Sequence, residues 1–227
     1  MTIDLIVPEP ADLAELRARY STCARCPLAR SRRRTVHGAG CADGGIVLVT
    51  DRVTGLDEHE GRLLSGPAGV LLGRILAAPK VEIPAERIYV SSIVLCRGPR
   101  DRMPRPAEVA ACRGRLQREI ALAEPRAIVA LGARAANMLA ETASDRQFGA
   151  PAAAEDIAAA AVWSLWHGAN PPVPLLRTLD LREALWGPAE IIRRRKRIMY
   201  SHWQAVSARF RELGGVAPVE SAEEAVP

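Results

Sequence analysis

The sequence predicts an α/β fold with a four-stranded parallel sheet. Four short apolar segments alternate with longer segments whose apolar residues recur at helical spacing, a pattern typical of βαβ units. At 227 residues, 48% of them hydrophobic, the chain is long enough for one domain with a sizeable core. We expect a single domain over residues 1–213 and a disordered tail over residues 214–227.

The elements follow from this pattern in chain order. Strands are predicted at 46–49, 87–95, 126–132 and 162–166. Helices are predicted at 9–20, 68–78, 106–123, 133–141 and 188–213, and Pro106 suits the first position of its helix. The proline-rich segment 168–177 is predicted to be a loop.

Three polar residues lie at or near the carboxyl ends of predicted strands. Asp51 closely follows the first strand, Ser92 lies in the second half of the second, and His167 follows the fourth. Because parallel sheets bind ligands at the carboxyl ends of their strands, we expect these residues to gather along one edge. A carboxylate, a hydroxyl and an imidazole there are compatible with hydrolytic chemistry. Taken singly, each is more often an ordinary loop or core residue.

The charge pattern leaves two interpretations open. The net charge is +5, and the basic residues are almost all arginine, with lysine only at Lys80 and Lys196. The arginines cluster at 30–34 and 193–197. Such clusters are typical of surfaces that bind phosphate groups, and equally of a solvated charged face.

Membrane and secretory classes are disfavoured by the sequence. No apolar run approaches the roughly 18 residues that a membrane span requires. The first twenty residues lack the charged-then-apolar order of a signal peptide. We therefore expect a cytoplasmic protein without a membrane partner, in which the five cysteines serve as metal ligands or thiols rather than disulfides.

Four cysteines have a spacing that indicates a metal site. Cys23 and Cys26 form a C-x2-C pair, Cys96 follows after 69 intervening residues, and Cys112 lies a further 15 intervening residues on. A C-x2-C pair fits one tight turn, and the fold would have to deliver the distant pair. Four converging thiolates suit zinc or an iron–sulfur cluster. The alternative is that they are scattered buried cysteines, and Cys41 is assigned no role.

Several ordered motifs resemble a known family. They are GRLLSGPAGVLL at 61–72, LCRGPRDRMPRPAEV at 95–109, PRAIVALGARAA at 125–136 and SLWHGANPPVPLLR at 164–177. With the cysteine spacing, these segments resemble the family 4 (iron–sulfur) enzymes of the uracil-DNA glycosylase superfamily over roughly residues 20–210. The resemblance implies a three-layer α/β/α fold with a [4Fe–4S] cluster at one side, held by Cys23, Cys26, Cys96 and Cys112.

The resemblance also implies a set of site residues, and the departures from the family lie among them. Asp51 stands where the family has a catalytic glutamate, and His167 matches the histidine of its T-x-H-P motif. In the base-binding pocket, Leu64 replaces a stacking phenylalanine and Ser92 replaces the asparagine that reads the base. The residues expected to contact DNA are Arg97, Val173, Leu175 and Arg177, with the apolar side chains after His167, including Leu176, forming a wedge.

The implied function is hydrolysis of the N-glycosidic bond of uracil, or a related damaged or modified base, flipped out of single- or double-stranded DNA. In this reading His167 donates a hydrogen bond to the departing base, and Asp51 stabilises the sugar cation and orients water. Because Leu64 and Ser92 are smaller than the residues that they replace, strict selection for uracil is not expected. Two alternatives remain open: a glycosylase for a bulkier modified base, and a non-catalytic DNA-binding iron–sulfur protein. We expect a monomer.

Overall fold

A computed structural model describes residues 10–41, 43–140 and 161–215 of the chain. The α-helices are α1 (Leu13–Ser21), α2 (Gly55–Glu60), α3 (Pro67–Leu76), α4 (Pro106–Ala123), α5 (Ala133–Ala140) and α6 (Ala189–Glu212). The strands are β1 (Ala39–Gly40), β2 (Ile46–Thr50), β3 (Ile88–Ser92), β4 (Ala127–Leu131), β5 (Trp163–Trp166) and β6 (Val173–Thr178). Short 3-10 helices lie at Pro27–Arg30, Ala85–Arg87, Pro99–Asp101 and Glu183–Leu185.

The strands form one mixed sheet in the order β1-β3-β2-β4-β6-β5. The central four, β3, β2, β4 and β6, run parallel, so the predicted four-stranded parallel core is confirmed. Strands β1 and β5 pair antiparallel at the two edges. The fourth parallel strand was, however, assigned to the wrong segment: residues 163–166 form the antiparallel edge strand β5, and the predicted loop contains β6.

Side chains that alternate along each central strand enter two separate cores. In β2, Val47 and Val49 pack with helices α1, α4 and α5 on one face of the sheet. Ile46 and Leu48 pack with α3 and α6 on the other face. This period of two is the expected consequence of the pleat in a sheet covered on both sides. The three-layer α/β/α arrangement is therefore confirmed.

Strand β6 divides its side chains between the same two cores. Leu175 is fully buried on the side of α4 and α5, and Leu176 is fully buried on the side of α3 and α6. Pro174 precedes the residues that pair with β4, which begin at Leu175. The missing N–H of Pro174 therefore removes no hydrogen bond between β6 and β4, and the proline is compatible with the strand.

A buried polar network joins α4 to β3. The Glu119 carboxylate accepts hydrogen bonds from the Tyr89 hydroxyl at 2.9 Å and from Ser91 Oγ at 2.5 Å. Arg115 forms an ion pair with Glu119 at 2.5 Å and donates a second hydrogen bond, at 2.6 Å, to the Ser92 carbonyl oxygen. Because both charged side chains are buried, each depends on the other to offset the cost of desolvation.

In the described ranges, no helix is long and apolar enough to cross a membrane. The predicted tail over residues 214–227 falls outside these ranges except for Gly214 and Gly215.

Candidate active site at the carboxyl edge of the sheet

The four parallel strands end in register. Thr50 at the end of β2 pairs with Ser92 of β3 on one side and with Leu131 of β4 on the other, and Leu131 pairs with Thr178 of β6. The residues that follow these positions therefore share one edge of the sheet. This is the edge at which α/β proteins bind their ligands.

Asp51 is buried at this edge and is held by the first turn of α5. Its Oδ1 accepts a hydrogen bond from the backbone N–H of Ala135 at 2.6 Å, and its Oδ2 accepts one from Arg134 at 3.4 Å. Gly132 has a φ of 99°, and a Cβ there would lie 2.4 Å from Asp51 Oδ2. The absence of a side chain at Gly132 thus makes room for the carboxylate beside the helix.

The environment of Asp51 opposes its ionisation. Burial, with a smaller contribution from the nearby carboxylate of Asp180, raises the pKa of Asp51 to about 7. The N–H groups of Ala135 and Arg134 lower the pKa but do not offset the burial. Near neutral pH the carboxyl group therefore exchanges a proton readily, as a general base requires.

Asp51 contributes to the wall of an open cleft of about 780 Å³. The cleft lies between the first turns of α4, with the loop that leads into them, and the first two turns of α5. Its polar lining comes from Asp51, Arg113, Arg134, Asn137 and Glu183, and its apolar lining includes Met103, Pro104, Val109 and Met138. Burial raises the pKa of Glu183, and the nearby Asp180 adds to the effect. Acidic and basic groups therefore face one cavity beside the strand ends.

The two predicted base-binding residues lie near this edge but are buried. Ser92 is 1% exposed, and its hydroxyl donates to the Thr50 carbonyl oxygen at 3.3 Å. Leu64, with a φ of 53°, is 7% exposed and packs in the core with α3. Neither residue lines the cleft that Asp51 borders. In this conformation the serine hydroxyl is engaged by the backbone rather than presented to a ligand.

Sequence reasoning missed Asp180, which lies at the same edge after β6. Asp180 follows Thr178, the last residue of β6, by two positions. Arg182 donates hydrogen bonds to Asp180 Oδ2 at 3.2 Å and to Asp57 Oδ2 at 3.1 Å. Because Asp57 also caps α2, this arginine ties the first turn of α2 to the loop after β6. The available sequence signal was the position of Asp180 directly after the segment VPLLRTL.

The prediction that His167 joins Asp51 at one edge is wrong. His167 follows β5, whose last residue, Trp166, pairs with Val173 at the start of β6. Because β6 spans six residues, this end lies roughly 17 Å from the carboxyl edge. His167 is exposed there. Strand direction, which apolar periodicity does not reveal, is the physical reason for the error.

The predicted apolar wedge is also wrong. Val173 is 8% exposed, and Leu175 and Leu176 are fully buried in β6, so none is available to enter DNA. Arg177 lies in the same strand and is half-buried. Arg97 is one-third exposed; its Nε donates to Asp101 at 2.6 Å, and its Nη1 lies 3.8 Å from Glu58. Its contact with DNA stays a prediction.

The four predicted cluster cysteines are neighbours in space. Burial raises the pKa of Cys96 to about 11, and the nearby Cys112 and Cys26 add to the effect. Burial also raises the pKa of Cys26, and the neighbouring Cys112 and Cys23 act in the same direction. The Arg32 guanidinium donates to Cys96 Sγ at 3.3 Å. Over the described part of the chain, no group of three or more His, Cys, Asp or Glu side chains is arranged to hold a metal ion.

A comparison with known protein families agrees with the fold. The sequence profile of the Uracil DNA glycosylase superfamily matches residues 37–185, a range that contains Asp51 and Asp180 and begins after Cys23 and Cys26.

Three similar proteins are each named a type-4 uracil-DNA glycosylase. The one from Pyrobaculum aerophilum is 32% identical over 130 residues, which cover 57% of this chain and 65% of that protein. The one from Thermotoga maritima is 38% identical over 117 residues, covering 52% and 60%. The one from Archaeoglobus fulgidus is 31% identical over 118 residues, covering 52% and 58%. The chain thus spans about three-fifths of the length of these relatives. Because the profile covers well over half of the chain, the protein belongs to the uracil-DNA glycosylase superfamily.

Proposed function

We propose that this protein is a monofunctional DNA glycosylase that hydrolyses the N-glycosidic bond of uracil, or a related deaminated base, in DNA. The observation that carries the proposal is the position of Asp51, a buried carboxyl group with a pKa of about 7 at the wall of the cleft. Membership of the superfamily and the names of the similar proteins support the same reaction. Excision of a damaged base would place the protein in base excision repair.

The proposed reaction uses Asp51 as the base. The bond between the sugar C1′ and the base nitrogen breaks, and its electron pair leaves with the base. A water oxygen forms the new bond to C1′, and its proton passes to the ionised Asp51 carboxylate. The same negative charge stabilises the positive charge that develops on the sugar. The departing base anion takes its proton from solvent.

The missing histidine changes how the leaving base is stabilised. Among the described residues, Asp180 lies at the carboxyl edge after β6, whereas the predicted histidine, His167, lies at the opposite end of the sheet. An ionised aspartate is only an acceptor of hydrogen bonds. We therefore assign to Asp180 the role of raising the pKa of Asp51 and of positioning Arg182, not of donating to the base.

We also propose that Cys23, Cys26, Cys96 and Cys112 bind a [4Fe–4S] cluster. The neighbouring Cys112 and Cys26 help to raise the pKa of Cys96, and Cys112 and Cys23 help to raise that of Cys26, so the four side chains lie close enough to interact. A bound cationic group there would stabilise ionised thiols. Bound there, the cluster would supply a covalent link between the N-terminal segment, the loop after β3 and helix α4. It is assigned no part in breaking the glycosidic bond.

Excision assays test the proposed function. The protein is incubated with single- and double-stranded oligonucleotides that carry uracil, hypoxanthine, xanthine or hydroxymethylated bases, and alkali then cleaves at abasic sites. We expect cleavage of the uracil substrate, and loss of that cleavage in Asp51→Asn. Cleavage of the hydroxymethylated base alone would favour the retuned glycosylase. DNA binding without cleavage of any substrate would contradict the enzyme and favour a non-catalytic binding protein.

A further inference from the structure

Trp186 is the most exposed of the large apolar side chains among the residues that the structure describes. Its exposed fraction is 75%, whereas Trp166 and Trp203 are fully buried and Trp163 is half-buried. A single exposed apolar side chain needs no explanation by itself. The surroundings of Trp186 give it significance.

The backbone at Trp186 is fixed rather than loose. Arg195 of α6 donates hydrogen bonds through Nη1 to the Glu183 carbonyl oxygen at 2.9 Å and to the Trp186 carbonyl oxygen at 3.2 Å. Glu183 lines the cleft that contains Asp51. Because three residues span at most about 11 Å, the indole is attached close to the cleft.

The first turns of α6 carry a dense positive charge beside Trp186. Arg193, Arg194, Lys196 and Arg197 are all exposed. Within the described part of the chain, none of these four side chains forms an ion pair with a carboxylate. Residue 197 lies four positions after 193 and three after 194, so its side chain neighbours both of theirs on the helix surface.

We propose that Trp186 and the exposed basic side chains of α6 form a contact surface for single-stranded DNA. The indole stacks on an unpaired base next to the cleft, and the guanidinium groups hold the adjacent phosphates. An aromatic platform combined with a basic track is the usual arrangement for single-stranded nucleic acids, since unpaired bases expose their faces. The choice of DNA rests on the proposed function.

The test measures binding without excision, using an unmodified single-stranded oligonucleotide that contains no target base. Titration should quench tryptophan fluorescence, because Trp186 is the most exposed indole in the described ranges. Trp186→Ala should weaken binding roughly 5- to 100-fold, and Trp186→Phe should retain part of the affinity while losing most of the quenching. Unchanged affinity and quenching in Trp186→Ala would overturn the proposal.

The exposed basic side chains of α6 have a matched control on the same helix. The Arg193→Gln/Arg194→Gln variant should reduce the slope of log affinity against log salt by roughly 1.4, since each phosphate contact on a single strand contributes about 0.7. The Arg209→Gln/Arg211→Gln variant removes the same charge about 25 Å away along α6 and should leave the slope nearly unchanged. Equal effects of the two variants would indicate unspecific attraction and contradict the surface.

The two proposals fail separately. Excision of uracil by a protein whose DNA binding is insensitive to Trp186 would sink this surface and leave the glycosylase intact. Quenching that depends on Trp186, without any excision, would support the surface and contradict the glycosylase. Tighter binding of a fully paired duplex through Trp186 would overturn the preference for a single strand.

Discussion

Asp51 shows how one side chain acquires its chemistry from its surroundings. Its carboxylate accepts two backbone hydrogen bonds at the start of α5, yet burial keeps its pKa near 7. The consequence is a carboxyl group that changes charge across the neutral range, which an exposed aspartate does not do.

We predict that kcat/KM for excision rises with pH through about 7, because the ionised form of Asp51 takes the proton of the attacking water. Asp51→Asn should lower kcat/KM by roughly 10²- to 10⁴-fold and remove the rise. The measurement is a pH profile of single-turnover excision. A rise that persists in the residual activity of Asp51→Asn would assign the titration to another group.

The same pKa makes a prediction about stability. Folding raises the pKa of Asp51, so protonation of this carboxyl group favours the folded state. Its contribution to stability is fully present below the pKa of the unfolded chain and is lost as pH rises through about 7. Above pH 7, Asp51→Asn should therefore increase the free energy of unfolding, by at most about 4 kcal/mol for three pKa units. Urea denaturation at pH 5 and pH 8 tests this, and a gain at both pH values alike would contradict the burial argument.

At the scale of elements, α4 connects two parts of the molecule. It carries Cys112 and, one turn later, Arg115, whose side chain holds the Ser92 carbonyl oxygen at the end of β3. The bounds of α4 agree with the sequence prediction, since Pro106 starts the helix and one apolar stripe follows it.

We predict that Glu119→Gln destabilises the protein by about 3 kcal/mol, because it leaves the buried Arg115 without its charge partner. Glu124→Gln, a change of the same kind at the exposed end of α4, serves as the control and should have little effect. Thermal or urea unfolding measures both variants. A double variant, Arg115→Met/Glu119→Leu, that remained as unstable as Glu119→Gln would argue against the buried charge as the cause.

The elements also show where sequence reasoning succeeds and fails. Strands β2 and β4 were predicted because both of their faces are buried, which yields continuous apolar runs. Strand β6 was missed because its segment contains Pro174 and follows two further prolines. Strand β5 was found but assigned the wrong direction, since antiparallel and parallel strands have the same local pattern. Because of that error, His167 was predicted to lie at the wrong end of the sheet.

At the scale of the whole molecule, the sheet assembles the site from distant parts of the chain. Asp51 was predictable because it directly follows a clear strand, but Asp180 depended on recognising β6. Burial also decided which predicted residues are accessible. Sequence alone could not show that the Ser92 hydroxyl bonds to the Thr50 carbonyl oxygen instead of facing a ligand.

The four predicted cluster cysteines concern the whole molecule, because a cluster bound to them would join three separated segments of the chain. We predict that the purified protein is brown and contains iron and sulfide, and that Cys96→Ser loses most of the visible absorption together with thermal stability. Cys41→Ser is the matched control and should retain both. A colourless protein that binds zinc at the same cysteines would contradict the iron–sulfur assignment.

Strand β6 limits how the chain can change in length. Leu175 and Leu176 face opposite cores, so one residue inserted between Val173 and Thr178 would reverse the direction of every later side chain in the strand. The same insertion would displace Asp180 by about 3.3 Å relative to Asp51. Residues 168–172 precede the strand and carry no such constraint. We therefore expect insertions to be tolerated before β6 but not within it.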